Sequence, residues 1–236
     1  RTRREEGKYR QYLTDEQRRS GGFSVGRMQR GFCHGLVGSV EMADAGHTVL
    51  LTADQVKDRV AGLAAEIRRG YPADTSLHLV AVLKGGFVFL ADLARVLDRP
   101  VTIDFVAVSS YGAGTRSTGE VRLRQDLHVG VRDRDVLIVE DIIDTGETLA
   151  WILDHVRAGG PRSLRTVALL DKPSRRTLDI EADYVGFTIP DRFVVGYGLD
   201  HEEQLRHLPY VAVLDGAPAE REAMTAIVSE VSRPAS

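Results

Sequence analysis

The sequence predicts an α/β fold: a mostly parallel sheet flanked by helices. Three observations carry that reading. Apolar runs of strand length, such as Leu77–Leu83 (LHLVAVL), alternate with segments whose apolar residues recur at helical spacing. Glycines and polar loops mark the changes between them, as Gly70, Gly85-Gly86 and Gly159-Gly160 do. The composition, 43% hydrophobic and 28% charged over 236 residues, is that of a globular chain able to bury a sizeable core. Strands alternating with helices imply parallel pairing.

Order is expected from about Val49. Thr52 and Gln55 form a capping box, and Val56, Val60, Leu63, Ala64 and Ile67 then mark one helical face that Gly70 ends. A buried strand over 77–83 runs into Lys84-Gly85-Gly86 and a helix over 87–97. Pro100 precedes a strand over 101–108, a polar loop over 109–119 (SSYGAGTRSTG) and a partly exposed strand over 120–127. Next come a strand over 135–140, a loop over 141–146 and a helix over 147–158, on which Trp151 serves as a packing residue. Strands follow over 164–170, 184–189, 193–195 and 210–214, and a last helix over 219–231. The chemically interesting loops all lie at carboxyl ends of predicted strands, where such sheets bind ligands.

Residues 1–46 differ from the rest. They hold nine basic and six acidic residues, net +3, which leaves the remainder at −6. The stretch 18–30 (RRSGGFSVGRMQR) has no sustained periodicity, so 1–46 is expected to be a poorly ordered extension before one domain over 47–236. The overall charge of −3 argues against a dedicated nucleic-acid binder. The single cysteine, Cys33, excludes an intramolecular disulfide and a cysteine metal cluster, and suits a reducing cytosol. No apolar run approaches the roughly 20 residues that span a bilayer, and the charged start lacks the apolar core of a secretory signal. We therefore expect a cytoplasmic protein without a membrane partner.

The segment 136–149 (VLIVEDIIDTGETL) carries the chemistry. Two acids, Glu140 and Asp141, end a buried strand, which is costly unless they face a cleft. Their acceptors suit the 2- and 3-hydroxyls of a ribose, or a metal held with them. Asp144, Thr145, Gly146, Glu147 and Thr148 then turn into a helix, so small residues leave backbone N–H groups and two hydroxyls facing outward to bind a phosphate dianion. The P-loop pattern is absent. A helix cap alone would need one of these residues and would leave the paired acids unexplained.

This segment resembles the phosphoribosyl-pyrophosphate (PRPP) motif of type I phosphoribosyltransferases: an apolar strand, two acids, two apolar residues, then Asp-Thr-Gly-x-Thr. The resemblance covers about 47–215. It implies the type I phosphoribosyltransferase fold, with a small hood built from the C-terminal purine-binding segment. It implies that Glu140 and Asp141 hold the ribose hydroxyls and that residues 144–148 hold the 5-phosphate. Leu83-Lys84-Gly85-Gly86 resembles the pyrophosphate loop of the hypoxanthine-guanine branch, in which glycines admit the diphosphate to the backbone and a peptide bond near the lysine can be cis. Arg206 falls at that family's pyrophosphate-binding arginine. Ser110-Tyr111, with Ser117-Thr118-Gly119, resembles its mobile loop, which would close over the reaction centre.

Lys172 resembles the lysine that donates to the purine 6-oxo group. The run 191–200 (DRFVVGYGLD) matches the purine-binding segment: Phe193 would stack on the base, a contact worth on the order of 1 kcal/mol or more, the Val194 backbone would read its edge, and Asp200 would ligate magnesium, as Glu140 and Asp141 also could. His201 and His207 are expected on the solvated surface. The resemblance thus implies purine salvage, with PRPP and hypoxanthine or guanine giving IMP or GMP, Mg2+ as cofactor, Asp144 as the base that takes the purine proton, and a homodimer or homotetramer. A regulator of the same fold that binds nucleic acid, and a xanthine-preferring transferase, are the alternatives. The residues do not rank hypoxanthine, guanine and xanthine.

Overall fold

The computed structural model describes residues 46–110 and 121–214, with Ser110 described by its backbone alone. All but the last residue of the expected extension over 1–46, Cys33, Tyr111 with its loop, and the expected helix over 219–231 lie outside the described residues.

In chain order the elements are β1 (His47–Leu51), α1 (Ala53–Gly70), β2 (Leu77–Leu83), α2 (Phe87–Val96), β3 (Val101–Ser110), β4 (Val121–Gln125), β5 (Asp135–Ile143), α3 (Glu147–Ala158), β6 (Ser163–Asp171), β7 (Tyr184–Thr188), β8 (Val194–Val195) and β9 (Val211–Leu214). The capping box expected at 52–55 opens α1: Gln55 N–H donates to Thr52 Oγ1 at 3.2 Å, and Thr52 N–H donates to Gln55 Oε1 at 2.8 Å. Its expected apolar face is the buried one, Val56, Val60, Leu63, Ala64 and Ile67. Each large aliphatic residue there contributes about 2 kcal/mol by leaving water.

The main sheet has the order β4-β3-β2-β5-β6-β7, parallel except for the β3–β4 hairpin. Alternation along the strands divides the core in two. Leu77, Leu79 and Ala81 of β2 and Leu137 and Val139 of β5 pack with α1 and α2. Val80, Val82, Val136 and Ile138 pack with Leu149, Ile152 and Val156 of α3 on the opposite face. Trp151 packs against this second cluster and stacks on His155, ring centroids 5.1 Å apart.

The chain leaves β2 toward β3 on one side and returns to β5 on the other. The carboxyl ends of β2 and β5 are therefore the switch point of the sheet. The Lys84-Gly85 turn and the Glu140-Asp141 pair are both there.

Two expectations are corrected. The strand expected to end at 140 continues through Ile143, because Glu140, Ile142 and Ile143 pair with Ala168, Leu170 and Asp171 of β6. Asp141 thus lies within a strand, and the loop is only 144–146. The hood is also not built from the C-terminal segment alone. Its three-stranded antiparallel sheet has the order β1-β9-β8, with His47 opposite Leu214 and Val194 opposite Val213. Its edge strand β1 comes from the start of the domain.

Candidate active site

A cavity of about 250 Å³ at the end of β5 is lined by Glu140, Asp141, Asp144, Thr145, Gly146 and Thr148, together with Ile142, Ile143 and Leu149. Of the motif's polar residues only Glu147 is not in its wall. Gly146 is the N-cap of α3, at φ +89°, a left-handed turn that favours glycine. No side chain caps the helix from that position. Thr145 Oγ1 takes only a long 3.4 Å bond from Glu147 N–H. The first turn of α3 thus presents its amides toward the cavity, the arrangement that favours an anion.

Glu140 is 6% exposed, and its Oε2 has no hydrogen-bond partner among the described residues. Burial, and then the neighbouring Asp141 charge, hold its carboxyl well above the usual range. Burial pushes Asp141 up to about 6, against the pull of the Ile142 N–H and of Arg206, while Asp200 pushes the same way as burial. Groups some 60 positions apart in sequence therefore share one electrostatic neighbourhood. Buried acids in this condition are suited to hydroxyl donors or a cation.

The β2 turn meets this pair closely. The Leu83-Lys84 peptide is cis. A Cβ on Gly85 would stand 1.5 Å from Asp141 Oδ2, so only glycine lets the two loops approach as they do. Lys84 Nζ lies 2.7 Å from Glu203. Arg206 donates to the Gly198 carbonyl at 2.8 Å and lies 2.7 Å from Asp200 Oδ1.

The segment after β6 braces the phosphate loop from outside, and sequence reasoning missed it. Arg175 Nε is 3.2 Å from Asp144 Oδ1 and 3.7 Å from Asp191 Oδ1. Arg176 donates to the Asp144 carbonyl at 2.5 Å and pairs with Asp171. Thr177 N–H donates to the Thr145 carbonyl at 3.0 Å. The signal was the Arg-Arg pair just past Lys172, which reads in isolation as solvated charge. Lys172 itself is 6% exposed, and its N–H donates to the Ile143 carbonyl at 3.0 Å, so it is not the solvated lysine its strand-end position suggests.

Phe193 is 56% exposed, which removes the alternative of a core aromatic. One edge is set by His201, ring centroids 5.5 Å apart and nearly perpendicular, and His201 is itself exposed, as expected. Val194 is buried in β8, and the Phe193 carbonyl accepts from Leu214 N–H at 3.1 Å. Tyr197, at φ +50°, ties this segment to α2 by donating its hydroxyl to Asp92 at 2.7 Å. Burial and Asp92 hold that hydroxyl protonated well above its ordinary range. Ser110 ends β3, and Tyr111 and the rest of the expected mobile loop lie outside the described residues. A larger cavity of about 530 Å³, beside α1, α2 and Tyr197, has only Arg206 in common with the expected site.

A parallel sheet with its switch point at Lys84 and Glu140-Asp141, and a cavity at the start of α3, is the arrangement expected of a phosphoribosyltransferase. The chain belongs to that family: the model of the phosphoribosyl transferase domain matches residues 48–202. Its relatives include hypoxanthine-guanine phosphoribosyltransferases. It is 49% identical over 173 residues to the hypoxanthine-guanine phosphoribosyltransferase of Mycobacterium avium, covering 71% of this chain and 85% of that one. It is 47% identical over 169 residues to the enzyme of the same name from Bacillus subtilis, covering 72% and 93%. The crystal structure of a hypoxanthine-guanine phosphoribosyltransferase from Bacillus anthracis superposes with a TM-score of 0.67 at 46% identity, covering 70% of this chain and 97% of that one.

Proposed function

We propose that this chain salvages purines, transferring 5-phosphoribosyl from PRPP to hypoxanthine or guanine to give IMP or GMP and pyrophosphate. The observation that carries the reading is the Glu140-Asp141 pair, buried at Glu140 and half-buried at Asp141, set between the cavity at the start of α3 and the Lys84-Gly85 turn, with an exposed aromatic in the hood.

Glu140 and Asp141 accept from the ribose hydroxyls, and the amides and hydroxyls of residues 145–148 hold the 5-phosphate. Breaking the C1–O bond leaves an oxocarbenium-like ribosyl centre and a diphosphate. Lys84, Arg206 and the amides near Gly85 stabilise that leaving group. Phe193 stacks on the base, the Val194 backbone reads its edge, and Lys172 donates to the 6-oxo oxygen. Asp144 accepts the purine N7 proton as N9 attacks.

The residues fit a magnesium ion, since Glu140 Oε2 is buried and unpartnered among the described residues. Among those residues no group of three or more His, Cys, Asp or Glu forms a metal cage by itself. Magnesium usually keeps waters and shares one or two carboxylates with substrate oxygens. Glu140, Asp141 and Asp200 would hold it jointly with PRPP, and when bound it supplies neutralisation of the diphosphate charge.

Among the described residues no helix is long and apolar enough to cross a membrane. Action in the cytoplasm, and assembly as a homodimer or homotetramer, belong to this proposal; light scattering of the purified chain tests the assembly. The reaction is tested by pyrophosphate release from PRPP with hypoxanthine, guanine, xanthine and adenine in turn. Turnover with hypoxanthine or guanine is expected. A preference for adenine would contradict the reading.

A further inference from the structure

The loop after Asp200 makes a contact that the transfer reaction leaves unused. Glu203 Oε2 lies 2.7 Å from Lys84 Nζ and 3.4 Å from Arg206 Nη2. These are the two cations assigned above to the leaving diphosphate. Lys84 stands 119 residues away, so nothing local obliges this carboxylate to meet it.

The loop is shaped to bring Glu203 there. Glu202, Glu203 and Leu205 take left-handed φ values of 50°, 65° and 70°, which non-glycine residues rarely adopt. Glu203 N–H donates to Asp200 Oδ2 at 2.9 Å. His201 and Gln204 close the turn with two backbone bonds of 3.2 and 2.9 Å. The Lys84 ammonium in turn holds the Glu203 carboxyl below the usual range.

We propose that Glu203 is a built-in occupant of the diphosphate subsite: its carboxylate neutralises Lys84 and, at longer range and beside Asp200, Arg206 in the free protein, gives way to an arriving diphosphate, and returns as pyrophosphate leaves. The proposal rests on the reading of Lys84 and Arg206 as diphosphate-binding cations. A diphosphate brings several charges against one and wins the exchange, but its affinity is reduced by the pairs it breaks. Both Glu203 and Lys84 are well exposed, so the reduction is that of surface pairs, roughly threefold to tenfold.

The test is calorimetric titration of inorganic pyrophosphate, in excess magnesium, into the full chain and its Glu203→Gln, Lys84→Ala and doubly substituted variants. Glu203→Gln keeps the size and the backbone bond while removing the charge. It is expected to tighten pyrophosphate binding roughly threefold to tenfold, whereas Lys84→Ala weakens it. In the double variant the gain from Glu203→Gln shrinks. Weakening by Lys84→Ala without any gain from Glu203→Gln would overturn the proposal and leave the subsite standing. Unchanged binding in Lys84→Ala would remove the subsite itself, and the proposal with it.

Discussion

The two halves of the proposed site are built by different means. The donor half is one contiguous stretch, 140–148, held between parallel strands and the start of α3 and braced by Arg176 and Thr177. The acceptor half is gathered from Lys172, Phe193-Val194 and the 197–206 loop, in which Tyr197, Glu202, Glu203 and Leu205 all take left-handed backbone. One half holds a buried carboxyl, Glu140, beside the half-buried Asp141, and the other exposes an aromatic ring. The contrast follows from the chemistry proposed. An activated sugar needs dipoles already in place and little water around it, whereas a flat base must enter and leave over an open face.

The largest expected effect separates chemistry from donor binding. Asp144→Asn should lower kcat by about 10²- to 10⁴-fold, the range for a lost general base, with the PRPP Kd nearly unchanged. An unaltered kcat would remove Asp144 from the base role. Next, Arg176→Ala should raise the PRPP KM severalfold and cost about 1–3 kcal/mol in chemical denaturation, since it removes bonds to Asp144 and Asp171. A wild-type PRPP KM would show that the brace is dispensable.

A smaller effect tests the strain in the donor half. Burial raises Asp141 from its ordinary 3.8 to about 6, so between these values the folded chain holds more protons than the unfolded one. Its contribution to stability is greatest below 3.8 and is lost as pH rises through 6. Asp141→Asn should therefore raise Tm at pH 7.5 in a chelated sample, with the gain fading as the pH falls below 5. A lower Tm at pH 7.5 would mean that the carboxylate is well solvated or paired in the free protein.

The same contrast explains what could be read in advance. The strand, turn and helix around 136–149 were legible because their signals lie in a single run, and the proposed donor residues fall within it. The end of β5 was misplaced because pairing of Ile142 and Ile143 with β6, not local propensity, extends it. Strand β1 was missed because five residues acquire meaning only through β9, more than 160 positions on. Arg175, Arg176 and Glu203 are charges whose contacts with Asp144 and Lys84 span 31 to 119 positions, so their local surroundings do not reveal them. Phe193 fits a core strand equally well until its exposure is known.

The division of labour between the halves is tested most directly by Phe193→Ala, measured with both substrates varied. The account predicts a purine KM raised by about tenfold, the equivalent of about 1.4 kcal/mol, with the PRPP KM and kcat each within about twofold of wild type. A purine KM that stays at the wild-type value, or a PRPP KM that rises in step with it, would contradict the assignment of the exposed ring to the base.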